Sequence, residues 1–250
     1  QIADHENFQL SGLDNYSLNN QLLDLSEEEF DDFFTRQAIK GILPRGGFAS
    51  VYAEKTIKQV QEFKNKIADY RALEPAHEDI DLELAGEFGT FRLTGQLSSL
   101  LGEQKQCVIW YFANDKERYR VRPWIYYLLQ LQHREDAPTP LLFVKDKVNP
   151  IGFKSISKEE ALFQLKIYLD GFCRAAYQPL PIPTENISKY LSLIGQQDIQ
   201  QKFTSELASL AENDPYWRRL LGQTQFFSKD ENIEHLLQQM QQWFANMLQK

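Results

Sequence analysis

The chain has 250 residues, 42% of them apolar and 25% charged, and its 27 Lys and Arg against 35 Asp and Glu give a formal charge of −8. These are globular proportions, and a chain of this length buries about 70–75% of the surface its unfolded form exposes. Twelve Gly, ten Pro and 13% aromatic residues exclude a collagen, a coiled coil and a disordered chain.

The acidic balance argues against a free-standing, charge-driven nucleic-acid binder, but not against a domain that receives positive charge from partner subunits. No apolar run approaches the ~20 residues of a membrane span. Gln1-Ile-Ala-Asp-His-Glu6 lacks the basic and apolar regions of a signal peptide and opens without an initiator Met, so the chain reads as a piece of a longer or processed protein. Cys107 and Cys173 form no CxxC and read as two reduced core thiols of a cytosolic protein.

The first 50 residues read as an entry arm with short helical pieces. Ser26-Glu-Glu-Glu29 is a capping box, followed by Phe30, Phe33 and Phe34 at helical spacing. Gly41-Ile-Leu-Pro-Arg-Gly-Gly47 breaks any helix. Between Glu54 and Leu73 the apolar positions Ile57, Val60, Phe63, Ile67, Tyr70 and Leu73 share one helical face, which Pro75 ends. Ile80, Leu82 and Leu84 then alternate with Asp79, Asp81 and Glu83, as on a half-buried strand. Gly86-Glu-Phe-Gly89 reads as a hairpin turn, with Phe91, Leu93, Gly95 and Leu97 on the return strand. Cys107-Val-Ile-Trp-Tyr-Phe112 is an unbroken run, as in a strand covered on both faces.

A helix is expected around Arg122–His133 with Trp124, Tyr127, Leu128 and Leu131 on one face, then a strand at Pro140–Val144. Ser157-Lys-Glu-Glu160 opens a long helix expected to turn Ala161, Leu162, Leu165, Leu169 and Phe172 inward and to end at Pro179-Leu-Pro-Ile-Pro183. The rest reads as helical: Ile199–Leu210, a stretch near Tyr216–Leu221, and a last helix packing Ile233, Leu236, Leu237, Met240, Phe244, Met247 and Leu248. The chain is thus expected to form one α/β domain, with an arm over 1–50, a core over 54–145 and a mostly helical part over 157–250.

The middle runs helix, strand, strand, strand, helix, strand, the order of the PD-(D/E)XK, or restriction-endonuclease-like, nuclease core. Nucleases of that fold hold a divalent metal with carboxylates on the second and third strands and place a Lys two residues beyond the latter. Residues two apart on a strand point to one face, about 6.8 Å apart. In the helicase–nuclease branch the second strand reads Gly-x-Ile-Asp; here it is Gly95-Gln-Leu-Ser98. The third strand of active members ends Asp-Tyr-Lys-Ser-Asn; here it is Trp110-Tyr-Phe-Ala-Asn114. Ser98, Trp110 and Phe112 therefore stand where the metal carboxylates and the Lys belong, and neither ring can ligate a hard cation. The scaffold is expected to be catalytically degenerate, with no catalytic residue, metal or cofactor.

Glu6-Asn-Phe-Gln-Leu-Ser-Gly-Leu-Asp-Asn-Tyr-Ser-Leu-Asn-Asn-Gln-Leu-Leu23 resembles the segment that opens the C-terminal domain of RecC, the gamma chain of exodeoxyribonuclease V. Gly41-Ile-Leu-Pro-Arg-Gly-Gly-Phe48, the pair Asp81-Leu…Thr94-Gly95, and the Ala161–Tyr177 helix with Pro179-Leu-Pro resemble further stretches of that family. The resemblance implies a non-catalytic, cytoplasmic subunit of a RecBCD helicase–nuclease that processes double-strand DNA ends. It implies RecB-like and RecD-like partners, with this domain docking the RecD-like helicase and helping to shape the DNA path.

Other residues carry alternatives. Asp79, Asp81 and Glu83 share a strand face and would be the ligands of an active nuclease whose metal site had migrated, although a solvated face is the simpler reading. Lys116, Arg118, Tyr119, Arg120 and Arg122 would suit phosphate contact and base stacking in a single-strand DNA-binding module, against a solvated loop before a helix. Trp217-Arg-Arg219 is either a partner anchor or a buried Trp between surface arginines. His5, His77, His133 and His235 show no metal-ligand spacing.

Overall fold

The computed structural model describes residues 10–43, 46–177, 182–223 and 230–248. The chain divides into two units, one of residues 1–73, 110–114 and 143–149, the other of 74–109, 115–142 and 150–250. The expected breaks at Pro44 and Pro179–Pro181, and Glu6–Gln9 of the opening segment, lie outside the described residues.

The first unit is mainly helical. Its α1 (Gly12–Asp24) is capped by Ser11, whose hydroxyl accepts from the Asp14 N–H at 3.1 Å. A single 3-10 turn at Glu27–Glu29 carries the Ser26–Glu29 capping box and leads into α2 (Phe30–Ile39), where Phe30, Phe33 and Phe34 are buried. Gly41 and Gly46, at φ of 71° and 65°, make the break that the sequence marks. In α3 (Gly47–Arg71) Val60, Phe63 and Ile67 are buried together with Thr56. Leu73, expected on the same face, lies beyond the helix end and is exposed. Cations of α3 close the end of α1: Arg71 Nη1 donates to the Leu23 carbonyl at 2.7 Å, and Lys64 Nζ donates to that of Leu25. Carbonyls at a helix C-terminus lack intrahelical donors and carry partial negative charge, so the pairing suits both needs.

In the second unit β1 (Pro75–Gly86) and β2 (Gly89–Leu101) form a long antiparallel hairpin. The strand begins five residues before Ile80, with Pro75 at its first position, where the missing N–H is tolerated. Register pairs Ile80 with Gly95, Leu82 with Leu93 and Leu84 with Phe91, so the apolar residues share one face. Gly89, at φ of 126°, turns the hairpin. β3 (Gln106–Tyr111) joins β2 antiparallel at Leu100–Cys107 and Leu101–Gln106. α4 (Val121–His133) follows, then β4 (Leu141–Val144), completing a mixed sheet of order β1-β2-β3-β4. The observed order α3, β1, β2, β3, α4, β4 is the expected one.

Trp124, Tyr127, Leu128 and Leu131 of α4 are all buried, and Trp124 stacks on Phe153. Next come α5 (Lys158–Tyr177), α6 (Ile187–Leu191), α7 (Ile199–Asn213), α8 (Pro215–Gln223) and α9 (Asp230–Leu248). The Ser157–Glu160 capping box forms in both directions, at 2.9 and 3.2 Å. Ala161, Leu165 and Leu169 of α5 are buried as expected, but Leu162 is only half-buried and Phe172 is 74% exposed. The inward face instead takes Gln164, Gly171 and Cys173.

Candidate functional site

The three positions expected to be degenerate have different surroundings. Ser98, in the second unit, is exposed near the end of β2, where Ser99 adopts a positive φ of 65°. Its hydroxyl accepts from Arg122 Nη2 at 3.5 Å. The same nitrogen donates to the Tyr126 hydroxyl at 3.1 Å, and the guanidinium lies 5.2 Å from that ring's centroid. Arg122 and Tyr126 are one turn apart on α4, so their i,i+4 spacing brings them together. A hydroxyl beside a fixed guanidinium has the wrong charge to hold a divalent cation, because like charges repel.

Trp110 and Phe112 belong to the first unit. Trp110, at the end of β3, is half-buried. Phe112 is 2% exposed and meets Phe63 of α3 edge to face at 5.2 Å, with Lys145 Nζ 5.4 Å from its centroid. Lys66 of α3 donates to the carbonyls of Lys145 and Lys147 at 3.0 and 2.9 Å. Phe112 is thus a packed core ring.

In the second unit the basic run is tied to the protein's own acids. Lys116 and Arg118 pair with Glu185 at 3.2 and 2.6 Å, and Arg118 stacks over Tyr119. Arg120 pairs with Asp115 at 2.8 Å in a mostly buried contact. Glu117 accepts from the Ser188 N–H at 2.8 Å and from its hydroxyl, which fixes the run to the start of α6.

The acidic strand face is exposed. Arg92 binds Asp81 through two hydrogen bonds of 2.6 and 2.5 Å, which hold its carboxyl below the usual carboxylate range. Asp79 accepts from Gln96 at 2.9 Å. Among the described residues no group of three or more His, Cys, Asp or Glu is placed to hold a metal ion. His77, His133 and His235 are exposed, and His5 lies outside the described residues. Trp217 is half-buried, while Arg218 donates to the Ala211 and Glu212 carbonyls at 3.1 and 3.0 Å, closing the end of α7. Cys107 and Cys173 are buried free thiols, and burial pushes the Cys107 thiol up to about 12.

Sequence reading did not anticipate the role of Tyr126, whose one-turn spacing from Arg122 was the available signal. Nor did it anticipate the buried pair of Glu78 and Gln130, in which Gln130 Nε2 donates to the carboxylate at 3.2 Å and to the Lys105 carbonyl at 3.0 Å. No local spacing links those residues.

Comparison with known proteins then places the chain. Residues 1–194 match the family model described as the RecC C-terminal domain. The chain belongs to that family. It is 41% identical to the RecBCD enzyme subunit RecC of Haemophilus influenzae, over 98% of this chain and 22% of that protein. Similarity extends to the RecC subunits of Escherichia coli K12, at 24% identity over 76% of this chain, and Buchnera aphidicola, at 22% over 70%. The chain spans 16–22% of the length of these curated relatives. Among the described residues no helix is long and apolar enough to cross a membrane.

Proposed function

We propose that this RecC-family domain is a non-catalytic scaffold of a RecBCD-type helicase–nuclease, built on a degenerate PD-(D/E)XK-like core and docking a RecD-like helicase subunit. Family membership supports the assembly, since its relatives are named as RecBCD enzyme subunits. The element order and the mixed four-stranded sheet support the nuclease-like core. The observation that carries the loss of catalysis is Phe112, at the expected Lys position, packed on Phe63 inside the first unit. An aromatic ring held in a core supplies neither a proton nor a charge to a phosphodiester.

Two measurements test this reading. The purified chain, incubated with linear duplex and single-stranded DNA in Mg²⁺ or Mn²⁺, is expected to release no nucleotides. Metal-dependent cleavage abolished by Asp81→Asn would instead establish an active site with migrated ligands. Co-expression with a RecD-like chain is expected to give a complex that survives size-exclusion chromatography at micromolar concentration. Failure to co-elute would remove the docking role. Salt-dependent oligonucleotide binding lost on Arg118→Gln would favour a DNA-binding module.

A further inference from the structure

Lys145 directly follows β4, and its backbone N–H donates to the Ala113 carbonyl at 2.9 Å, one residue beyond Phe112. Residues 110–114 and 143–149 belong to the first unit, together with α3. The Lys145 ammonium lies over the neighbouring segment, 5.4 Å from the Phe112 ring centroid. Phe112 in turn meets Phe63 of α3, and the Lys66 ammonium lies 5.9 Å from the Phe63 centroid. Two touching rings thus carry one ammonium each.

Neutral groups hold both cations. Lys66 donates to the carbonyls of Lys145 and Lys147, and Lys145 donates to Gln59 Oε1 at 3.3 Å. With the Ala113 bond, these contacts fix the backbone that carries Lys145, but they do not neutralise its charge. Glu62, Asp69 and Asp146 are exposed acids of the same stretches. Among the described residues no carboxylate forms an ion pair with Lys66 or Lys145. Both lysines are half-buried. Like charges repel, and more strongly in a partly desolvated place than in bulk water, so two ammoniums held without an acid favour an oxyanion.

The cations continue along α3. Lys55 and Lys58 are exposed, as is Lys147 beside the Lys66 site. Lys55 and Lys66 are about three turns and about 16 Å apart along the helix, so they lie on one side of it. A row of cations of that length suits a chain of phosphates better than a single ion.

We infer that Lys145, supported by Lys66, holds the phosphate backbone of a nucleic-acid strand, at the place where Phe112 stands for the expected Lys. The choice of phosphate over another oxyanion rests on the nuclease-like reading. The cation missing from position 112 is supplied from the neighbouring segment. It binds by charge and hydrogen bonding; no bond is broken and no metal is required. Lysine acts here as a point charge, so the contact carries no base sequence.

The test measures binding of the 250-residue chain to a fluorescent single-stranded oligonucleotide in EDTA, at a series of salt concentrations. Binding is expected to weaken as salt rises. Lys145→Gln should weaken it about threefold or more and reduce the log–log salt slope by about 0.7, one phosphate contact on a single strand. Lys145→Met keeps the alkyl stem over Phe112 and should bind as poorly, whereas Lys145→Arg keeps the charge and should recover both affinity and slope. Thermal denaturation checks that each variant folds. The inference is overturned if the wild-type chain shows no salt-dependent binding, or if folded Lys145→Gln keeps its affinity and slope. Loss on Arg118→Gln with none on Lys145→Gln would move the contact to the second unit and overturn it too. The Lys145 ammonium NMR signal is expected to shift with the oligonucleotide; a shift with inorganic phosphate alone would sink the nucleic-acid assignment. Cleavage in Mg²⁺ would overturn the proposed function, while the measurement in EDTA still scores the contact. An absent Lys145 effect without cleavage sinks this inference alone.

Discussion

Gly171 of α5 leaves the space that the Trp243 indole of α9 occupies: a Cβ at Gly171 would lie 2.6 Å from Cζ2 of that ring. The same side of α5 buries Gln164, whose Nε2 donates to the Gln242 carbonyl at 2.9 Å. Helix α9 thus sits against α5 by shape at one point and by hydrogen bonding at another. Gly171→Ala would gain about 1 kcal/mol of helix propensity. The contact is with a rigid ring wedged between helices, so the overpacking cost of about 1–3 kcal/mol should exceed that gain. Urea denaturation is expected to show net destabilisation. Trp243→Leu in the same background should recover part of it, since the smaller side chain vacates the position the methyl needs.

Arg71 and Lys64 close the carbonyl end of α1 from α3. Arg71→Ala leaves the Leu23 carbonyl to water and removes a cation from a helix C-terminus. A loss of about 1 kcal/mol is expected, in line with hydrogen-bonded charges at helix ends. Arg71→Lys should retain part of the effect, because the charge survives while the fixed fork does not. Raising ionic strength should narrow the difference between wild type and Arg71→Ala in chemical denaturation.

These contacts also mark how far the sequence could be read. In α9 the helical period of Ile233, Leu236, Leu237, Met240, Phe244 and Met247 is the buried face, because one apolar stripe meets one core. The β1–β2 hairpin is legible for the same reason, its two-residue period surviving in the register. Phe172 breaks the pattern. It lies on the apolar side of α5 but at a groove in the second unit, where it stays 74% exposed. Gln164 is buried because its partners lie on α9, and no local rule foresees a contact across 78 positions. The chain pattern singled out Ser98, Trp110 and Phe112 as candidates, two of them in the first unit and Ser98 in the second. It could not show that Ser98 receives a hydrogen bond from Arg122, or that Phe112 packs on Phe63.

Glu29 gives a pH prediction. Its carboxyl is held below the usual carboxylate value, first by the Ser26 backbone N–H and then by the Ser26 hydroxyl. A folded-state pKa below the unfolded one gives stabilisation that is present above the unfolded value and is lost as pH falls through the folded value. Ser26→Ala removes the hydroxyl but keeps the N–H. The Glu29 titration, followed by carboxyl carbon NMR, should therefore move upward without reaching the ordinary value. The acid limb of stability contributed by Glu29 should be smaller in this variant and end at higher pH, since its upper edge is set by the unfolded value. An unchanged Glu29 titration would show that the hydroxyl contributes nothing.

Cys107 is fully buried, and its thiol is pushed up to about 12 by desolvation, opposed by Arg122. At pH 8 about one molecule in ten thousand would carry the reactive thiolate. In the native protein Cys107 is expected to resist a thiol reagent such as dithionitrobenzoate, and to react at once in denaturant. Mass mapping after alkylation identifies the residue. Fast native labelling at Cys107 would mean that the β3 region opens on the timescale of the reaction.

Phe112 tests the proposed reading of its position. Its ring is 2% exposed, packs edge to face on Phe63 and lies under the Lys145 ammonium. Phe112→Ala should cost about 3–5 kcal/mol, the range for emptying a buried aromatic site. Phe112→Lys should cost at least as much. It places a second ammonium near Lys145, and desolvation penalises an unpaired buried charge heavily. Trp110→Asp, at a half-buried position, should be tolerated better than Phe112→Lys. Thermal denaturation of the two single variants and of the double variant, with and without Mg²⁺, separates the effects. If the double variant is more stable than Phe112→Lys alone and gains further stability from Mg²⁺, the new carboxylate and lysine share a functional pocket. If the two costs add and Mg²⁺ changes nothing, the position is core packing, and an Asp at 110 with a Lys at 112 does not make a metal site there.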